Sequence, residues 1–242
     1  MEKSLDTKHP IALTHGPIKE VFNDVFFVSG AMKTVLMDMD WQFSRNMTIV
    51  RDGSRLIIIN SVRLDEQGLA ELEQLGEVTD VIRLGALHGR DDAFYVERYD
   101  AKYWAMPGVD NKANLKINEL SPDITLPISG ASLFQFTTTQ IPEAILLLKR
   151  EGGIAIACDA LQNWLAPDEH CCESSSERMT NMGFFTPANV GPVWLQVAKP
   201  EADDFLRLKE VSFKHAFCGH GEPLLNTAKD EYLETFSRLF KI

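Results

Sequence analysis

The sequence predicts one domain of mixed α and β structure, with strands first and mixed helix and strand units after them. Three observations predict it. Short β-type runs separated by turn residues fill the first third of the chain. One of them, Leu56-Ile57-Ile58-Ile59, is apolar on both faces and so belongs to a central strand covered on each side. No internal repeat, low-complexity tract or interdomain linker interrupts the 242 residues, so 1–242 reads as a single domain.

The elements follow in order. Val25 to Val28, Met47 to Val50 and Leu56 to Asn60 read as strands of an antiparallel meander, with Asp52-Gly53 turning between the last two. Leu69, Leu72 and Leu75 recur at helical spacing between Asp65 and Gly76. Val78 to Leu84 is a buried strand and Gly85 to Asp92 the loop at its carboxyl end. A helix beginning at Asp92 or Ala93 carries Phe94, Tyr95 and Tyr99 inward, its aspartates suiting a positive helix terminus. Lys102 to Ala105 is a short strand. Glu143 to Asp159 reads as a hairpin turning at Glu151-Gly152-Gly153, because Ile145 to Leu148 leaves no polar helix face and Ile154 to Ala157 supplies a partner strand. Asn163 to Val190 is polar, without clear period, and reads as a long loop insertion. Phe213 to Phe217 is a strand ending at Cys218-Gly219-His220-Gly221. Thr227 and Asp230 resemble a capping box ahead of a helix whose stripe is Tyr232, Leu233, Phe236, Leu239 and Phe240.

Composition narrows the function classes. Lys and Arg number 24 against 35 Asp and Glu, a formal charge of −11. An acidic surface without a basic patch repels phosphate backbones and anionic lipid, so the expected partner is a small molecule, with no nucleic acid and no membrane. The first residues hold no apolar run of signal-peptide type, and the expected location is cytoplasmic. Cys158, Cys171, Cys172 and Cys218 are too few and too irregularly spaced for a disulfide framework, and are expected to be reduced. Ser174 to Ser176 read as flexible surface, and Trp104, Trp164 and Trp194 as core or cleft walls.

Four side chains stand where strands end. His88 with Asp92, then Asp159, then His220 each follow a predicted strand, beside glycine or another acid. Singly, such residues are turn formers, caps or surface groups. Together they are two imidazoles and two carboxylates, a nitrogen and oxygen set suited to zinc, iron or manganese. Asp92 and Asp159 brought close without a cation would repel, and a dication would neutralise both.

The order of elements and these motifs resemble the metallo-β-lactamase superfamily over most of the chain. The family's His-x-His-x-Asp-His motif is similar to His88-Gly89-Arg90-Asp91-Asp92-Ala93, where the first His and the Asp are kept. Its bridging Asp resembles Asp159 in Cys158-Asp159-Ala160-Leu161, and its last His resembles His220 in Gly219-His220-Gly221. Its middle His has no counterpart in Thr137 to Glu143. The resemblance implies a four-layer αββα sandwich of two mixed sheets with helices outside. It further implies that the first ion position keeps only His88 and stays empty, while the second keeps Asp92, Asp159 and His220. Arg90 then projects toward the vacated position and pairs with Asp92 or Asp159.

Two functions from different classes follow. In one, a single divalent ion and Asp159 act on a small ester, thioester, lactone or amide, with Arg90 stabilising developing negative charge and Asp92 beside it. In the other, no metal binds, Arg90 is locked to the aspartates, and the cleft is a binding or regulatory module.

Overall fold

The computed structural model describes residues 8–36 and 38–242. Strands β1 (Lys19–Phe22), β2 (Val25–Leu36), β3 (Met39–Asp52) and β4 (Arg55–Ile59) form the antiparallel meander. Helix α1 (Glu66–Leu75) and strand β5 (Glu77–Arg83), then helix α2 (Asp92–Tyr99) and strand β6 (Lys102–Ala105), continue the sheet in parallel, and β7 (Ile117–Glu119) closes it. The result is a seven-stranded mixed sheet whose strands lie in sequence order. Leu56 to Ile59 are fully buried, as a central strand requires.

A second sheet has the order β13, β10, β9, β8, from β8 (Ala131–Gln135), β9 (Ala144–Leu148), β10 (Ile154–Ile156) and β13 (His215–Phe217). The β9–β10 hairpin pairs Leu148 with Ile154 across the predicted turn. Side chains of a strand alternate between faces, and here the alternation separates two cores. Leu133, Leu146, Leu148, Ile154, Ile156 and Phe217 face the first sheet and join a core with Met47, Ile57 and Val81, which also takes in Leu69 and Leu72 of α1 and Phe94 and Tyr95 of α2. Phe134, Ile145, Ala155 and Ala216 join the other core, against helices α4 (Pro192–Ala198), α5 (Ala202–Lys209) and α6 (Ala228–Phe240). Trp194, Phe205, Tyr232 and Phe236 are the large side chains there. The layers are therefore helix, sheet, sheet, helix.

The segment predicted as a loop insertion at 163–190 differs from expectation. It contains strands β11 (Gln162–Trp164) and β12 (Thr186–Asn189), paired antiparallel, and helix α3 (Glu173–Asn181). Helix α3 buries only Ser175 and Met179, so it shows no apolar stripe. A small cluster of Trp41, Trp164, Met179 and Phe184 holds it against the long β2–β3 hairpin. The serines read as flexible surface are its first turn. Thr227 also departs from a capping box: its hydroxyl donates to Glu231 Oε1 at 2.5 Å, and no side chain caps α6.

Cys172 precedes α3, and the Ser174 and Ser175 hydroxyls, 3.5 and 3.1 Å from its sulfur, draw its thiol down to about 7. Burial pushes Cys171 up to about 11, while Cys158 and Cys218 are wholly inside. Iodoacetamide at about pH 8 is therefore expected to label Cys172 first, at a rate that climbs through about pH 7 and then levels, as the thiolate is the nucleophile. Peptide mass mapping reads the order, and comparable labelling of Cys171 would contradict it.

Candidate metal centre

Three strand ends converge, and register explains two of them. Strands β10 and β13 are parallel neighbours that pair Ile156 with Phe217, and Asp159 and His220 each lie three residues beyond that pair. The Gly219 N–H donates to the Cys158 carbonyl at 3.0 Å, tying the two strand ends together. Glycine is needed there, because a Cβ on Gly219 would stand 2.6 Å from that carbonyl oxygen and 3.1 Å from the His88 ring. Gly221 has φ +80°, and a Cβ on it would stand 2.0 Å from the Asn163 carbonyl oxygen. The glycines flanking His220 thus let the backbone fold tightly enough to turn the imidazole inward. His88 arrives from the loop after β5.

His220 Nε2 lies 3.2 Å from Asp159 Oδ1 and 3.3 Å from His88 Nε2, and His88 Nε2 lies 3.4 Å from Asp159 Oδ2. All three side chains are nearly buried, between 6% and 9% exposed. The other ring nitrogen of His220, Nδ1, is 2.8 Å from the Ser44 carbonyl oxygen. A carbonyl only accepts, so Nδ1 carries a proton, and Nε2 is the ring nitrogen turned toward the Asp159 carboxylate. Trp164 lies flat on His220, with centroids 5.3 Å apart and planes at 7°. Phe43 closes another side at 5.8 Å.

Burial pushes the Asp159 carboxyl up, but His88 and His220 outweigh it and hold it well below the usual range. Burial keeps His88 below its ordinary value despite the neighbouring carboxylate. A further acid, absent from the sequence prediction, stands behind Asp159. Glu143 Oε1 accepts the backbone N–H groups of Asp159 at 2.7 Å and Ala160 at 2.8 Å. Burial and the charge of Asp159 push this carboxyl well up, toward its neutral form. The same surroundings raise the Cys158 thiol, whose sulfur donates to Asp159 Oδ2 at 3.2 Å.

The donor set fits a metal ion. Among the described residues, His88, Asp159 and His220 bring one ligand atom each to within 4.8 Å of the others. The separations of 3.2 to 3.4 Å between these atoms approach the edge, roughly 3.3 Å, of a tetrahedron with arms of about 2.0 Å. A carbonyl behind the coordinating imidazole is the usual support for such a ligand.

Three sequence expectations are corrected. Asp92 is not in this cluster: Ser61 Oγ donates to its Oδ1 at 2.5 Å and Tyr103 OH to its Oδ2 at 2.8 Å, which occupies both oxygens. His88, expected to stand alone at an empty position, joins Asp159 and His220 instead. Arg90 pairs with neither Asp92 nor Asp159. Its Nη1 donates to Asp91 Oδ1 at 2.6 Å, and its Nη2 to the Ile11 carbonyl at 3.2 Å. Asp91 also takes the guanidinium of Arg45.

No known family profile matches the chain, and no curated protein matches it either. Among described residues, no helix is long and apolar enough to cross a membrane. Solved structures do match. A metallo-β-lactamase from Erythrobacter litoralis shares 13% identity at a TM-score of 0.57, over 99% of this chain and 100% of that one. One from Hirschia baltica shares 12% at 0.55, over 91% and 98%. FIM-1 from Pseudomonas aeruginosa, in its mono-zinc form, shares 10% at 0.58, over 95% and 97%. At such identities the likeness establishes architecture, and the chain has the αββα fold of the metallo-β-lactamases.

Proposed function

We propose that this protein is a metal-dependent hydrolase of a small ester, thioester, lactone or amide, with one divalent transition-metal ion, zinc, iron or manganese, held by His88, Asp159 and His220. One observation carries the reading. The Ser44 carbonyl holds the Nδ1 side of His220, so Nε2 is turned toward Asp159 Oδ1 at 3.2 Å and His88 Nε2 at 3.3 Å, and three donor atoms of two residue types converge where one cation can be shared. The mono-zinc neighbour and the shared fold support it.

A bound divalent ion supplies Lewis acidity to a substrate carbonyl. The chain's own residues prepare the place. Asp159 stays ionised, Ser44 fixes the imidazole, and Trp164 and Phe43 limit water beside His220. Glu143, hydrogen bonded to the Asp159 turn and pushed toward its neutral form, holds that turn in place. The four free thiols support a cytoplasmic setting.

Elemental analysis of protein purified without chelator or added metal, paired with melting curves before and after chelation, tests the proposal. One equivalent of metal is expected, with a melting point that falls on chelation. Ion present at about 100 times its dissociation constant stabilises by about 2.7 kcal/mol. A chain that purifies without metal and melts alike in both buffers is instead the binding module.

A further inference from the structure

The loop that carries His88 is wrapped in guanidinium groups, although the protein is strongly acidic overall. Arg45, on β3, is the innermost. Its side chain is 4% exposed, it shares Asp91 with Arg90, and its Nε has no acceptor. Asp91 is already engaged elsewhere, accepting the Arg63 backbone N–H at 2.7 Å. Two guanidiniums thus share one carboxylate, and the Nε donor of Arg45 remains unfilled. Arg83, also buried, donates to the carbonyl oxygens of Gly85 at 3.0 Å, Ala86 at 2.6 Å and Asp110 at 2.8 Å, and interacts with the Tyr103 hydroxyl. Among the described residues no carboxylate reaches it.

Arg45 also borders the metal centre. It follows Ser44, whose carbonyl holds His220, and through Asp91 it is tied to the loop that carries His88. His88 Nδ1 is a second buried nitrogen without a partner. Leaving a buried guanidinium with unfilled donors is costly, and a guanidinium fork matches the two oxygens of a carboxylate or phosphate. Arg90, with its side chain 21% exposed, is the member of the group at the surface.

We propose that Arg45 and Arg90, flanking Asp91 beside the His88–Asp159–His220 cluster, form an anion subsite that takes a two-oxygen group, carboxylate or phosphate, of the ligand. Calling that ligand a substrate rests on the hydrolase reading, whereas the subsite itself requires no metal. An anionic substituent would dock on the arginines and set the bond to be cleaved beside the three-residue cluster.

The test uses the full chain freed of metal by chelation, so that no ion can bind the probe. Inorganic phosphate and acetate are titrated separately by calorimetry at constant ionic strength made up with chloride, and the two arms distinguish the anion types. One saturable site for at least one probe is expected, weakened at least about tenfold in Arg90→Gln, as for loss of a charge-assisted hydrogen bond. Arg45→Gln should abolish it, and Arg55→Gln, at a distant half-exposed ion pair, should leave it unchanged. Because Arg45→Gln strips a buried carboxylate of a partner and can unfold the chain, Arg90→Gln decides if that happens. Absence of saturable binding in the wild type, or wild-type affinity in Arg90→Gln, overturns the subsite. Metal analysis of the unchelated protein scores the hydrolase reading separately.

Discussion

Replacing Glu143 by alanine is expected to destabilise the metal-free protein by about 3–5 kcal/mol, while Glu143→Gln costs less than half as much. The difference follows from what Glu143 does. One oxygen accepts two backbone N–H groups, those of Asp159 and Ala160, in a place that is wholly buried. Alanine strands both donors and leaves a void, whereas glutamine keeps an acceptor oxygen and the shape of the side chain. Urea unfolding in chelator reads both variants against wild type at constant m. A Glu143→Ala midpoint within about 1 kcal/mol of wild type would show that the turn holds without its clamp.

Loss of metal uptake is the second large effect. Asp159→Ala removes the carboxylate that both imidazoles face, and two neutral rings hold a dication poorly. Affinity is expected to fall by at least about 100-fold, the upper end of what removing even a supporting residue costs. The protein should then purify with less than one equivalent, and the chelator-dependent shift in melting should disappear. Asp92→Asn provides the contrast. Its oxygens are taken by Ser61 and Tyr103, so it should keep its metal even if it melts lower. Stoichiometric metal in Asp159→Ala, or loss confined to Asp92→Asn, would return the ligand role to Asp92.

The contrast between those two aspartates also shows what a reader of the sequence could and could not see. His88, Asp159 and His220 are visible because each follows an apolar run that can only be a buried strand, next to small residues that permit a tight turn. Asp91 and Asp92 are adjacent at a helix start, where successive side chains point in different directions. Which acid meets the hydroxyls and which the arginines is decided by β3, β6 and the segment after β4, and none of these is nearby in sequence. Glu143 left one unused clue, an acid heading the fully apolar run Ala144–Leu148, where burial demands a partner. Arg45 left none. The β9–β10 hairpin was readable from its diglycine turn and unbroken apolar arms. The outer halves of β2 and β3 were not, because around Lys33 and Thr34 the hairpin runs out past the core and its pattern is no longer set by burial.

The pairing of β10 with β13 has a consequence for how the protein is made. Those neighbours are about 60 residues apart in the chain, and parallel partners so distant cannot meet until the later one exists. A nascent polypeptide still lacking β13 can have its first sheet complete, and His88 and Asp159 already synthesised, yet it cannot close the third side of the cluster. Three-residue coordination of an ion therefore has to wait for the last strand of that sheet.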